Sequence, residues 1–398
     1  MSLTPLRLTS LLNYPKFQSC SSSSPPPRRL VSHGRSPAND YKLVLYDALD
    51  SSGIDTTHAR DARKGFLTEI ENLSQIERAA SISINRCVDL GRTALYIAAE
   101  DDSLVSRSSV PLPVDAFIKV LDDLSLGYCS HYSLSFRDSP ESFINSLETY
   151  LYVKKGFRRT NAKDQLDIQA LYLPSVLMHL SGSAALLSLI YSEVLKMLRL
   201  WDLFDFDYEI FFPHELHALP RGYDKQKSTE SDQKHIMITQ TLLEEILRDL
   251  KEAFWPFPFD SSKSLFLRGA HAASYIDKSS NDGEESSFQL ASIKTAQYRF
   301  ATNVRFGDMR RALAACERLI LLESDPKEFR DYSILLYHCG FYEESWKFLK
   351  LYEDIKSSSL EKQSSNKYSN PEEDAAEKLM SRLNFILMEK SWSKPSNS

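Results

Sequence analysis

Residues 181–200 read SGSAALLSLIYSEVLKMLRL. From Ala184 onward, apolar side chains fall nearly all the way round a helix: Ala185, Leu186, Leu187, Leu189, Ile190, Tyr191, Val194, Leu195, Met197 and Leu198. A helix without a polar face must be surrounded by protein, so this stretch is the expected central helix of the main domain. The wider run Leu171–Leu200 is a poor membrane span, because Pro174, Gly182, Glu193, Lys196 and Arg199 interrupt it. Ser181 and Ser183 stand immediately before the helix. A serine there either caps the first free backbone amides or serves as a nucleophile.

Upstream, residues 59–80 and 89–100 carry apolar side chains at helical spacing, as in Phe66, Leu67, Ile70, Leu73 and Ile76. A third such run covers 114–126 with Phe117, Ile118, Leu121 and Leu124. Ser139-Pro140-Glu141 has the form of a helix start: a capping hydroxyl, proline at the first helical position and an acid in the first turn. Downstream, Tyr208, Ile210 and Phe212 alternate with Asp207, Glu209 and Phe211, which points to a strand. Residues 241–255 form an amphipathic helix through Leu242, Ile246, Leu250 and Phe254 and stop at Pro256. The polar inserts 225–234 and 278–287 have little to bury and read as loops.

A second unit is expected over 291–356. Gly307 and Gly340 each open a helix, 33 residues apart, and Ala312 recurs as Ser345 at the same offset. Small residues at that position let paired helices approach closely, as in tetratricopeptide-type repeats. One and a half repeats cannot bury their own core, so the unit should pack against the first domain. Residues 357–398 then read as a linker followed by a C-terminal helix.

The first 39 residues carry Arg7, Lys16, Arg28, Arg29 and Arg35 with no acid, in a Ser- and Pro-rich background. That composition marks an organellar transit peptide, with chloroplast favoured by its Ser and Pro content. The formal charge is −6 for the whole chain and, less those five cations, −11. A strongly acidic mature protein is repelled by nucleic-acid phosphates. Composition is globular, with 42% hydrophobic and 26% charged residues, which argues against global disorder. The 5 cysteines form no CxxC pair, so neither a disulfide framework nor a thiolate zinc site is expected.

The stretch from Glu100-Asp101-Asp102 through Pro113-Val114-Asp115 and Leu121-Asp122-Asp123-Leu124, then Gly156-Phe157-Arg158, Leu173-Pro174-Ser175-Val176-Leu177 and 182–200, resembles the bacterial SirB-type branch of transglutaminase-like proteins. That branch also ends in a tetratricopeptide-like segment, which 307–352 resembles, including Arg330-Asp331 after the Asp325-Pro326 turn. The resemblance implies a predominantly helical α+β fold: a degenerate transglutaminase-like core over 40–275, a loop at 276–290 and the helical hairpin module. Active members place a cysteine at the N-terminus of the buried helix. By position it would fall on Ala184, whose methyl group cannot attack a carbonyl. The histidine partner corresponds to His214, and the orienting acid has no matching position because the insert 225–234 interrupts the region.

The expected function is therefore a non-catalytic, protein-binding scaffold of the chloroplast stroma, without cofactor or metal and without integral membrane association, meeting its partner through the C-terminal helices. The alternative is a hydrolase or transamidase using Ser183 with His214. Four further residues, Lys154, Lys155, Arg158 and Arg159, form the sharpest basic cluster. They either contact an anionic partner or solvate the end of a helix.

Overall fold

The computed structural model describes residues 43–83, 88–106, 110–132, 139–160, 168–212, 218–224, 236–278, 306–360 and 370–392. The expected leader at 1–39, the insert 225–234, most of the loop at 276–290 and His214 lie outside them. The described part is predominantly helical, with two small two-stranded sheets.

It opens with α1 (Leu45–Ser51) and α2 (Thr57–Glu71). The apolar pattern over 59–80 does not form one helix, because the Ser74 hydroxyl accepts from the Glu77 amide and the Glu77 carboxylate accepts in turn from the Ser74 amide. That capping box starts a separate short helix, α3 (Gln75–Arg78). Next come α4 (Leu90–Val105), capped by Asp89 at 2.9 Å from the Arg92 amide, and α5 (Val114–Tyr132). Helix α6 (Pro140–Glu148) starts at the expected Ser139 cap and runs into a π-helical turn, Thr149–Lys154. Gly156, at φ +80°, turns the chain out of it, a conformation that costs other residues dearly.

Strand β1 (Arg158–Arg159) follows, then α7 (Leu173–His179), β2 (Ser181–Gly182) and α8 (Ala184–Leu200). Helix α8 is the central element foreseen from its composition: α4, α5 and α9 (Thr239–Ala253) pack around it. Strand β3 (Tyr208–Phe211) pairs antiparallel with β4 (Arg221–Asp224). The chain continues through α10 (Leu265–Lys278), α11 (Phe306–Leu321), α12 (Lys327–His338), α13 (Tyr342–Leu360) and α14 (Pro371–Trp392).

Helix α11 lies against both α4 and α9, α12 packs on α10, α11 and α13, and α14 on α10 and α13. One continuous apolar cluster extends from Leu45 to Leu383. Ala312 and Ser345 are both fully buried, and the Ser345 hydroxyl donates to the Ser333 carbonyl at 2.8 Å. Helix α13 outlasts its expected end near residue 356. In the added turn the Ser357 and Ser358 hydroxyls fold back onto the Glu353 and Ile355 carbonyls at 2.8 and 2.7 Å.

Candidate functional site

The sequence directs attention to the N-terminus of α8. Two residues of parallel pairing set Arg158 beside Ser181 and Arg159 beside Gly182, so the basic cluster and the expected nucleophile region do meet. Gly182 is needed there: a Cβ would stand 2.8 Å from both methyl groups of Val176. Its successor Ser183 is buried, its amide donates to the Ala170 carbonyl at 3.1 Å, and its Oγ accepts from the Leu186 amide at 3.4 Å. Ser183 thus occupies the capping role. Ala184 is 5% exposed and starts the helix with a methyl group.

The basic cluster is divided among separate tasks. Lys154 sits 4.6 Å above the Tyr132 ring and Lys155 5.4 Å from that of Tyr150, while Arg159 donates to the Ala218 carbonyl at 2.9 Å. Burial lowers the affinity of the Arg159 guanidinium for its proton, with Asp249 opposing. Arg158, on β1, and Lys154 are the exposed members of the cluster, while Lys155 and Arg159 are half-buried.

Cysteine chemistry fares no better among the described residues. Burial pushes the Cys129 thiol up to about 11, and it raises those of Cys316 and Cys339 further. A thiol so protonated is a poor nucleophile near neutral pH. His131, two residues from Cys129, uses its Nδ1 on the Gly127 carbonyl at 2.7 Å. No group of three or more His, Cys, Asp or Glu among the described residues could hold a metal ion, and no helix among them is long and apolar enough to cross a membrane.

Two buried ionic clusters carry the strongest electrostatics. In the first, Arg63 of α2 grips Glu100 of α4 through Nε and Nη2 at 2.8 and 2.6 Å and reaches Glu317 of α11 at 3.1 Å. Arg318 donates to Asp101 and, at 3.2 Å, to the Ile97 carbonyl. Three tyrosines line this cluster. Tyr332 donates to Glu317 at 2.7 Å and Tyr172 to Asp101 at 2.8 Å, while the Tyr46 ring lies 5.2 Å from the Arg63 guanidinium. Burial opposes ionisation of Glu100, but Arg318 and Arg63 outweigh it and hold the carboxyl below its usual range. For Asp101 burial prevails over Arg318, and the carboxyl is raised.

In the second cluster, Lys251 of α9 bridges Glu328 at 2.6 Å and Asp331 at 3.1 Å, both on α12. Arg330 reaches across to Glu372 at the start of α14 at 2.6 Å. Burial favours neutral lysine, but Asp331 and Glu328 reverse that and raise Lys251. Every carboxylate in these clusters faces a cation or a hydroxyl, so they bind the helices together, and the Nε of Arg330 is the one buried polar atom of the named members left without a partner among the described residues. Sequence reasoning named Glu100, Asp101, Arg330 and Asp331 only through resemblance and missed Arg63, Lys251, Glu317, Arg318 and Glu328. The available signal was Glu317-Arg318 inside the apolar run 312–322, where a charged pair has no solvent face.

One open concavity of about 670 Å³ lies between α10 and α14. Comparison with family models, with curated proteins and with solved structures gives no match to this chain. The described residues form a predominantly helical α+β arrangement in which the last four helices share the core of the rest.

Proposed function

We propose that this chain is a non-catalytic protein-interaction or scaffold protein built on a degenerate transglutaminase-like core with tetratricopeptide-like hairpins, working in the chloroplast stroma. The observation that carries the proposal is at the start of α8: the helix offers the Ala184 methyl and a Ser183 hydroxyl already engaged by the Leu186 amide. The three described thiols support the same reading, since burial holds each of them protonated. The Ser- and Pro-rich, acid-free stretch 1–39 supports the plastid location.

The test is affinity capture of the protein lacking residues 1–39 from isolated chloroplasts, in parallel with Ser183→Ala. Reproducible enrichment of one protein complex, undiminished in the variant, is the expected result. Hydrolysis of an acyl or amide substrate that disappears with Ser183→Ala would establish an enzyme instead. Residues 1–39 fused to a fluorescent protein should direct it to plastids, and retention in the cytosol would remove the stromal assignment.

A further inference from the structure

We infer that the groove between α10 and α14 receives an acidic amphipathic helix of a partner protein; the inference rests on the interaction reading and names its docking surface. The floor is apolar and low. Leu267, Ala270 and Ala273 of α10 face Ala375 and Leu379 of α14 across it. Alanines on both walls leave room for inserted side chains, and about 670 Å³ is a volume typical of preformed binding clefts.

The α14 wall is fixed at its head to α12 and at its far end to α10 by buried or half-buried polar contacts. Glu372, at the head of α14, is held by Arg330, and Arg382, three turns on, donates to the Ala273 carbonyl at 3.0 Å. The lined length of α14, from Pro371 to Arg382, spans roughly 16 Å at the helical rise. That length matches three turns of a guest helix presenting apolar anchors at i, i+3 or i+4, and i+7. Phe385 continues the same stripe of α14 one turn further and is 64% exposed, with Met388 at 50% a turn beyond it. The apolar track therefore runs out of the groove along α14.

Charge decides what kind of helix fits. The chain as a whole is acidic, at −6, yet among the described residues the groove is lined by Lys263, Lys378 and Arg382, with Asp374 as the one carboxylate. Lys263 shares its charge with Asp260 at 3.0 Å, and Asp374 precedes Lys378 by one turn. A cationic surplus remains, above an apolar floor. This sign reversal on an acidic surface favours a guest with carboxylates flanking an apolar face and repels a basic one.

The experiment is fluorescence anisotropy of the full chain with two labelled synthetic helices. One carries Leu along one face and Glu on the other; its counterpart has Lys in place of Glu. Saturable binding of the Glu peptide, weakened about ten-fold by Lys378→Glu and again by Phe385→Ser, is expected. Lys378 and Phe385 are solvent-facing, so both variants should keep the parent circular dichroism and melting temperature. Equal binding of the Lys peptide, or affinity unmoved by Lys378→Glu, overturns the assignment. So does binding that emerges only when Asp282, Glu284 and Glu285 are replaced by Ser, because the occupant is then a segment of this chain. Chloroplast capture separates the two levels: a complex retained by Lys378→Glu sinks the groove alone, while capture of nothing sinks the interaction reading.

Discussion

The Arg318 guanidinium of α11 donates to the Asp101 carboxylate of α4, and neither side chain is more than 1% exposed. The pair joins residues 217 apart in sequence and sits within a cluster that also holds Arg63, Glu100 and Glu317. Arg318→Met leaves three carboxylates to a single arginine in a dry interior. It should cost about 3–5 kcal/mol in urea unfolding, since an orphaned buried charge is far more costly than a missing pair. Arg318→Met combined with Asp101→Leu should recover a large part of that loss. Equal stability of the single and double variants would show that the two groups are not coupled.

Ser183→Ala removes the cap of α8 and should lower stability by about 1 kcal/mol, while Ser183→Gly, which fits the buried N-cap without a charge, should lower it by only a few tenths of a kcal/mol. Thermal unfolding of the three proteins checks this. A Ser183→Ala protein as stable as the parent would mean that the 3.4 Å contact to the Leu186 amide does not cap the helix in solution.

His338 gives the fold an acid-sensitive point. Its Nε2 meets the Gly269 carbonyl at 2.9 Å beside the Phe257 ring, and burial pushes its pKa down to about 4, with Arg382 adding to the effect. The unfolded chain binds the proton near 6.5, so it takes up protons first as pH falls. The contribution of His338 is complete above about 6.5 and is lost between there and about 4, worth up to about 3 kcal/mol. Raised carboxylates such as Glu148 act in the opposite sense. The informative quantity is therefore the difference between parent and His338→Gln in denaturant midpoint from pH 7 to pH 4. A constant difference across that range would refute the assignment.

Cys129 should react slowly with maleimide or iodoacetamide. At a pKa of about 11 its thiolate fraction at pH 8 is about a hundred-fold below that of an ordinary thiol. Peptide mass mapping of the native protein should find Cys129, Cys316 and Cys339 unmodified under conditions that label a small thiol fully, and all three labelled after unfolding. Rapid native labelling of Cys129 would reopen thiol chemistry for this chain.

Much of the helical layout was legible because periodicity and capping act locally. Ala184–Leu200, the Ser139 cap and the starts near Gly307 and Gly340 depend on residues within a few positions of one another. Helix α10 was missed, since its small residues Gly269, Ala270, Ala272 and Ala273 weaken any apolar stripe. Strand β4 was missed because Arg221-Gly222-Tyr223-Asp224 has no strand pattern of its own. It pairs with β3 while Gly222 passes so close to the Tyr191 hydroxyl that a Cβ there would lie 2.6 Å away. The ionic clusters were illegible for a different reason. Nothing near Arg63 in the sequence announces Glu317, and only tertiary structure converts isolated charges into a satisfied network. At the candidate site, the local alternatives for Ser183 could be written down beforehand, but choosing between them required the position of the Leu186 amide.

The union of α11 with α4 has a kinetic side. A ribosome adding roughly 5–20 residues per second exposes Asp101 some tens of seconds before it delivers Arg318. Throughout that interval the first half of the chain holds acids meant for an interior that cannot yet close. Pairing across that distance carries a loop-closure cost that can be met only once both partners are present, so the last helices of the chain complete the interior of the first.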